Sequence, residues 1–180
     1  HLAPLALLVA AAGFWALLGG RYRRVAPWLV AAYLLGAAVL LWPASQRYGR
    51  AVQNINAMQV HLGEWVEQNL PRHARLALND VGAIAFVSRR EVIDLMGFIT
   101  PEILPYRRDG EAGVLRYLER ACPDYLIIFP DWFPELARRT DRFTPLYRVK
   151  LEQNRVAGAE LMVVFETVWS RWRRSREPCP

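Results

Sequence analysis

Tyr125-Leu126-Ile127-Ile128-Phe129, closed by Pro130, is the stretch that decides the fold. A short run of aliphatic and aromatic residues that stops at a proline reads as a strand buried on both faces, the kind found in sheets with helices packed on either side. Upstream, Ala74-Arg-Leu-Ala-Leu-Asn-Asp has the same character and ends at Asn79-Asp80. Between the two lie a predicted helix from Val81 to Ser88, a strand from Glu91 to Phe98, and a helix from Gly110 to Ala121 whose Val114, Leu115 and Leu118 face inward. Downstream come a helix from Pro134 to Thr140 and two strand-like runs, Phe143 to Leu151 and Glu160 to Trp169. A turn at Gln153 to Gly158 joins these runs, which read as an antiparallel hairpin. Alternation of this kind predicts a small three-layer α/β domain with a mainly parallel sheet and a C-terminal hairpin.

Ahead of that domain, two uncharged apolar runs, Leu2 to Gly19 and Val25 to Trp42, are separated by Arg21-Tyr-Arg-Arg. Roughly 18 helical residues cover about 27 Å, close to the ~30 Å hydrocarbon core, and neither run has the polar face of a soluble core helix. The expectation is a pair of N-terminal transmembrane helices in residues 1–43, the second ended by Pro43. A signal peptide would place its basic residues before the apolar run; here they follow it. Arginines in the tight loop favour the cytoplasmic side, which puts residues 44–180 outside the cytoplasm and makes the chain a multi-pass inner-membrane protein. Opening at His1 inside an apparent span, the chain reads as part of a longer protein. From Ser45 to Leu70, Val52, Ile55, Met58, Leu62, Trp65, Val66 and Leu70 recur at steps of three and four, which predicts an amphipathic helix leading into the domain of residues 44–170. Residues 171–180 form a basic tail.

The net charge of +6 does not signal nucleic acid. The excess arginines sit in the apolar N-terminal region and the tail, and the segment between them is balanced, so basic residues beside a membrane point to lipid headgroups. Cys122 and Cys179 occupy unlike contexts and are read as unpaired thiols, although an oxidising compartment permits them to pair. His1, His61 and His73 have no metal-ligand spacing, so no metal site is expected within this segment.

Candidate chemistry gathers at the ends of the predicted strands, the edge where α/β sheets hold ligands. Asp80 either caps the following helix or marks an anion site with Gly82; the three-glycine dinucleotide pattern is absent. Asp94 interrupts an apolar strand and reads as a structural acid paired with one of Arg89, Arg90, Arg107 or Arg108. The polar loop from Thr100 to Gly110 brings Arg107, Arg108 and Asp109 as substrate-binding candidates, with a plain connector as the alternative. Asp131-Trp132-Phe133 sets aromatics beside acids, a combination that grips carbohydrate; the other reading is that the rings pack the next helix or rest on the membrane. No residue stands in a recognisable nucleophile motif.

Asn79-Asp-Val-Gly-Ala-Ile-Ala-Phe and Val92-Ile-Asp-Leu-Met-Gly-Phe-Ile-Thr-Pro-Glu, following an apolar hairpin, resemble the C-terminal region of bacterial GT-C type glycosyltransferases of the arabinofuranosyltransferase-like and mannosyltransferase-like kind. The resemblance covers residues 75 to 130 by motif and the remainder by architecture. It implies an integral membrane enzyme of the cell envelope that moves a sugar from a polyprenyl-phosphate donor to a glycan, lipid or protein acceptor on the outer face. It also implies a catalytic aspartate in an early loop that this chain does not contain. Such enzymes often use a divalent metal; none is expected in this fragment. The rival expectation is a membrane-tethered interaction module without chemistry, and a third is a hydrolase using Asp80 and Asp131.

Overall fold

The computed structural model describes residues 3–19 and 23–174. It divides into two compact units, His1–Gly49 and Arg50–Pro180. Arg21, Cys179 and residues 175–180 of the basic tail lie outside the described residues.

In the first unit, α1 (Ala3–Gly19) is apolar throughout, and α2 (Ala26–Ile55) begins after a turn at residues 23–25. The helical run from Ala26 continues to Asn69 and is, among the described residues, the one helix long and apolar enough to cross a membrane. The two-span expectation is therefore met by one helix on length and composition, because α1 has only 17 residues. Nor does Pro43 end the second helix; it lies inside α2. A proline forfeits one backbone hydrogen bond, which the uninterrupted turns on either side outlast.

The second unit begins within the same helical run, where a π-helical turn (Asn56–Val60) precedes α3 (His61–Asn69). Next come β1 (Arg75–Leu78), α4 (Gly82–Ser88) and β2 (Glu91–Asp94), then a 3-10 turn (Pro101–Ile103), α5 (Leu104–Arg107), α6 (Gly110–Ala121) and β3 (Tyr125–Ile128). The chain finishes with α7 (Pro134–Arg138), β4 (Phe143–Lys150), β5 (Leu161–Thr167) and α8 (Val168–Arg174). The five strands form one sheet in the order β2-β1-β3-β5-β4.

The expectation of a mainly parallel sheet is corrected. β1 pairs in parallel with β2 and β3, but β5 pairs antiparallel with both β3 and β4, and the longer β4–β5 ladder makes antiparallel pairing dominant. The reason is geometric: a short loop between consecutive strands permits only antiparallel neighbours, and β5 enters beside β3 to bring the hairpin into the sheet. β2 stops at Asp94, short of Phe98, where the chain folds into a tight turn. β5 likewise ends at Thr167, and Trp169 belongs to a helix.

Because successive strand residues point to opposite faces, the sheet carries two cores. Leu76, Leu78, Ile127 and Val164 pack beneath Met58, Leu62 and Val66 of the π turn and α3, and Ile84 of α4. Ala77, Leu126, Ile128 and Phe165 pack against Val114 and Leu118 of α6, Leu136 of α7 and Trp169 of α8. This gives three layers, with the helical stripe read from Met58 to Leu70 buried as its spacing requires. Cys122, at the left-handed C-cap of α6, is disulfide-bonded, which corrects the expectation of unpaired thiols.

Candidate functional site

The order β2-β1-β3 reverses the direction of chain travel at β1, so the connections after the parallel strands leave on opposite faces and open a crevice at their carboxyl ends. Three segments meet that edge: Asn79-Asp80 after β1, Leu95 to Thr100 after β2, and Phe129 to Phe133 after β3.

After β1, Asn79 is buried and its Oδ1 accepts from the Phe129 amide at 3.2 Å, which ties the ends of β1 and β3 together. Asp80 is not the expected cap. The N-cap of α4 is Val81, with no side-chain cap bond, and Asp80 Oδ2 accepts instead from Gln59 Nε2 at 2.9 Å. Gln59 is buried because it lies in the π turn, where the wider helical coil carries an otherwise polar position inward. Among the described residues, Gln59 Oε1 and Asn79 Nδ2 have no hydrogen-bond partner.

After β2, Asp94 is fully buried, but backbone amides rather than an arginine meet it. Its carboxylate accepts from the N–H groups of Met96 (2.8 Å), Phe98 (2.6 Å) and Ile99 (3.0 Å). The arginines expected beside it work elsewhere. Arg90 donates to the carbonyls of Glu67, Leu70, Pro71 and Ser88, closing the exposed end of α3, while Arg107 Nη1 donates to the Met96 carbonyl at 2.8 Å.

After β3, the half-exposed Trp132 donates from Nε1 to the Gly158 carbonyl at 3.1 Å, and its ring tilts against Phe129 with centroids 5.5 Å apart. Only glycine fits at position 158, since a Cβ there would lie 2.7 Å from the indole. Phe133 is buried and Asp131 is exposed. Glu111, in the first turn of α6, accepts from the amides of Glu135 and Leu136, and so caps α7 from outside.

The last two of these segments, with the end of α5 and the first turns of α6, line a cleft of about 290 Å³: Met96, Arg107, Gly110, Glu111, Val114, Trp132 and Phe133. It brings together Arg107 and Trp132 from the expected set. Asp80, Arg108, Asp109 and Asp131 are outside the lining, and Asp109 is ion-paired with Arg116. Met96 and Glu111 were not singled out in the sequence; an acid in the first turn of α6 was the available signal for the second. Further along α6, burial first and the Glu102 charge second raise the Tyr117 hydroxyl above its ordinary pKa. A larger, more open concavity of about 710 Å³ runs between Asn56, His61 and Glu64 and the β4 residues Tyr147 to Lys150. There His61 Nε2 is bonded to the Tyr147 hydroxyl at 2.8 Å, and Trp65 stacks on the Tyr147 ring at 4.5 Å. The smaller cleft, at the strand ends, is the candidate site.

No curated protein and no solved structure matches the chain. A family model described as "Domain of unknown function (DUF8728)" matches residues 51–175, essentially the second compact unit. The chain belongs to that family.

Proposed function

We propose that the chain is the C-terminal membrane and extracytoplasmic portion of a polyprenyl-phosphate-sugar-dependent glycosyltransferase, with catalysis in an earlier loop of the complete protein. Its α/β domain holds the sugar donor or the acceptor. The cleft carries this reading: it combines the Arg107 guanidinium with the Trp132 indole at the carboxyl ends of the parallel strands. A guanidinium suits a phosphate or carboxylate, and an indole face suits the C–H face of a sugar ring. The neighbouring acids are committed to structure, Glu111 and Asp94 to backbone amides and Asp80 to Gln59, so the cleft binds rather than moves protons.

Two features support the membrane part of the reading. α2 leaves Leu34, Leu35, Leu40 and Trp42 exposed, and α1 does the same with Leu8, Val9 and Trp15, which suits lipid on all sides. At 17 residues α1 reaches the lower limit of the roughly 17–25 that cross a bilayer, so we include it as the second span of a multi-pass protein. Arg23 and Arg24 between the helices favour the cytoplasmic side, which supports residues 44–180 lying outside the cytoplasm, and the disulfide at Cys122 suits an oxidising compartment.

The test is transfer from radiolabelled polyprenyl-phosphate mannose or arabinose by membranes that hold the complete protein. The expected result is label in product, lowered by Arg107→Ala or Trp132→Ala without loss of folded protein. Turnover by the present chain alone refutes upstream catalysis, and unchanged transfer in both variants removes the cleft from the mechanism. The second reading is a membrane-tethered binding module with no chemistry, favoured by the same committed acids. Ligand binding at the cleft without transfer by the complete protein would select it.

A further inference from the structure

Between β2 and the 3-10 turn, two large apolar side chains stand in solvent: Phe98 is 82% exposed and Ile99 62%. Leu104, also exposed, adjoins them, because its side chain lies over Gly97, where a Cβ would come within 2.5 Å of Leu104 Cδ2. The segment is a built turn. The buried Asp94 carboxylate grips the amides of Met96, Phe98 and Ile99, the Thr100 hydroxyl accepts from the Asp94 amide at 2.9 Å, and Gly97 takes a φ of +86°. A fully buried charge thus fixes the backbone of the residues whose side chains are held in water. Folding alone favours burying such side chains, so a rigid scaffold that presents them marks a contact surface.

We propose that this turn is a membrane-interface wedge, in which Phe98, Ile99 and Leu104 enter the headgroup boundary of a bilayer containing anionic phospholipid. Two observations select a bilayer as the occupant. The chain carries a helix long and apolar enough to cross a membrane, so a bilayer is present at high effective concentration. In the loop that follows, Arg107 and Arg108 face Glu102 and Asp109, and Asp109 is already ion-paired with Arg116, a balance that suits anionic headgroups; an aromatic next to aliphatic residues is the composition found at that depth. The inference rests on the membrane tether in the reading above and not on sugar transfer.

The test uses the full chain in liposomes of phosphatidylcholine and phosphatidylglycerol, with a nitroxide at Phe98→Cys or Ile99→Cys. Phe86→Cys on α4, 84% exposed, serves as the solvent reference, and Leu35→Cys in α2 reports the span. Phe98 and Ile99 contribute their amides, not buried side chains, to the turn, so substitution leaves the fold in place. Power-saturation electron paramagnetic resonance with oxygen and a water-soluble nickel chelate reads the surroundings. Labels at 98 and 99 should show oxygen accessibility several-fold above, and nickel accessibility several-fold below, those at 86. Nickel access at 98 and 99 equal to that at 86 overturns the wedge. Shielding from both reagents also overturns it, in favour of a protein partner or a second copy. If the label at Leu35 is outside lipid, the tether itself fails; if it is in lipid while 98 and 99 are in water, only the wedge fails.

Discussion

The two halves of the sheet are held together by different means. β2, β1 and β3 are four residues each, and the segments entering and leaving them are pinned by side chains on backbone: Arg90 on four carbonyls at the entries, Asn79 on Phe129 and Asp94 on three amides at the exits. β4 and β5 are eight and seven residues, joined by a long ladder and packed through Phe143, Phe165 and Trp169, whose rings meet edge to face. Short parallel strands must hand the chain to helices on either face, and each sharp exit strands backbone groups that need partners. Polar side chains supplied there build turns, and the same edge becomes the place where a cleft opens. The antiparallel half satisfies its own backbone and is free to spend its side chains on apolar packing.

That contrast predicts opposite sensitivities. In the antiparallel half, Trp169→Ala should cost about 3–5 kcal/mol in chemical denaturation of the detergent-solubilised chain, through loss of a wholly buried indole. Trp169→Phe should cost only about 1–2 kcal/mol, since the indole Nε1 has no partner among the described residues and its loss leaves nothing unpaired. A Phe variant as damaged as the Ala variant would show that polar contacts matter in this half too.

In the parallel half, Asp94→Ala should cost about 3 kcal/mol by stranding three amides, with Asp94→Asn retaining part of the loss because one acceptor oxygen remains. Here hydrogen exchange at Met96, Phe98 and Ile99 sharpens the comparison: the Ala variant should lose protection locally, and unchanged protection would mean that the turn stands without the carboxylate. Arg90→Lys keeps the charge but not the planar fork that reaches four carbonyls, and should cost about 1–2 kcal/mol, with fraying at the end of α3. A loss indistinguishable from zero would make charge, not geometry, the contribution of Arg90.

The smallest effect concerns pH. The hydrogen bond from Arg139, opposed by a smaller desolvation effect and aided by the Arg139 charge, lowers the Asp141 pKa below its ordinary value of 3.8. A carboxyl with a lowered folded pKa stabilises above the unfolded value and loses that contribution as pH falls through the folded one. The thermal midpoints of the parent and Arg139→Ala should therefore differ slightly near neutrality and converge below about pH 4. The pair is exposed, so the difference is small, and its persistence in acid would sink the assignment.

Periodicity alone determined the elements of this chain: the stripe from Met58 to Leu70, the helix from Gly110 to Ala121, the buried strand at Tyr125 and the antiparallel pair after Phe143 all follow from where apolar residues recur. It also placed Arg107 and Trp132 near the strand ends. Strand order is a different kind of fact. Nothing local says that β5 inserts beside β3, because the sheet is chosen by which faces fit against which helices. Polar partners are equally non-local. Asp94 reads as an ion-pair acid until the chain folds back and three of its own amides arrive first, and Asp80 reads as a cap until a π turn in a helix more than twenty residues away carries Gln59 to it. Apolar burial depends on a residue's own pattern, whereas a hydrogen bond depends on which donor the tertiary fold delivers within 3 Å, and that only the folded structure decides.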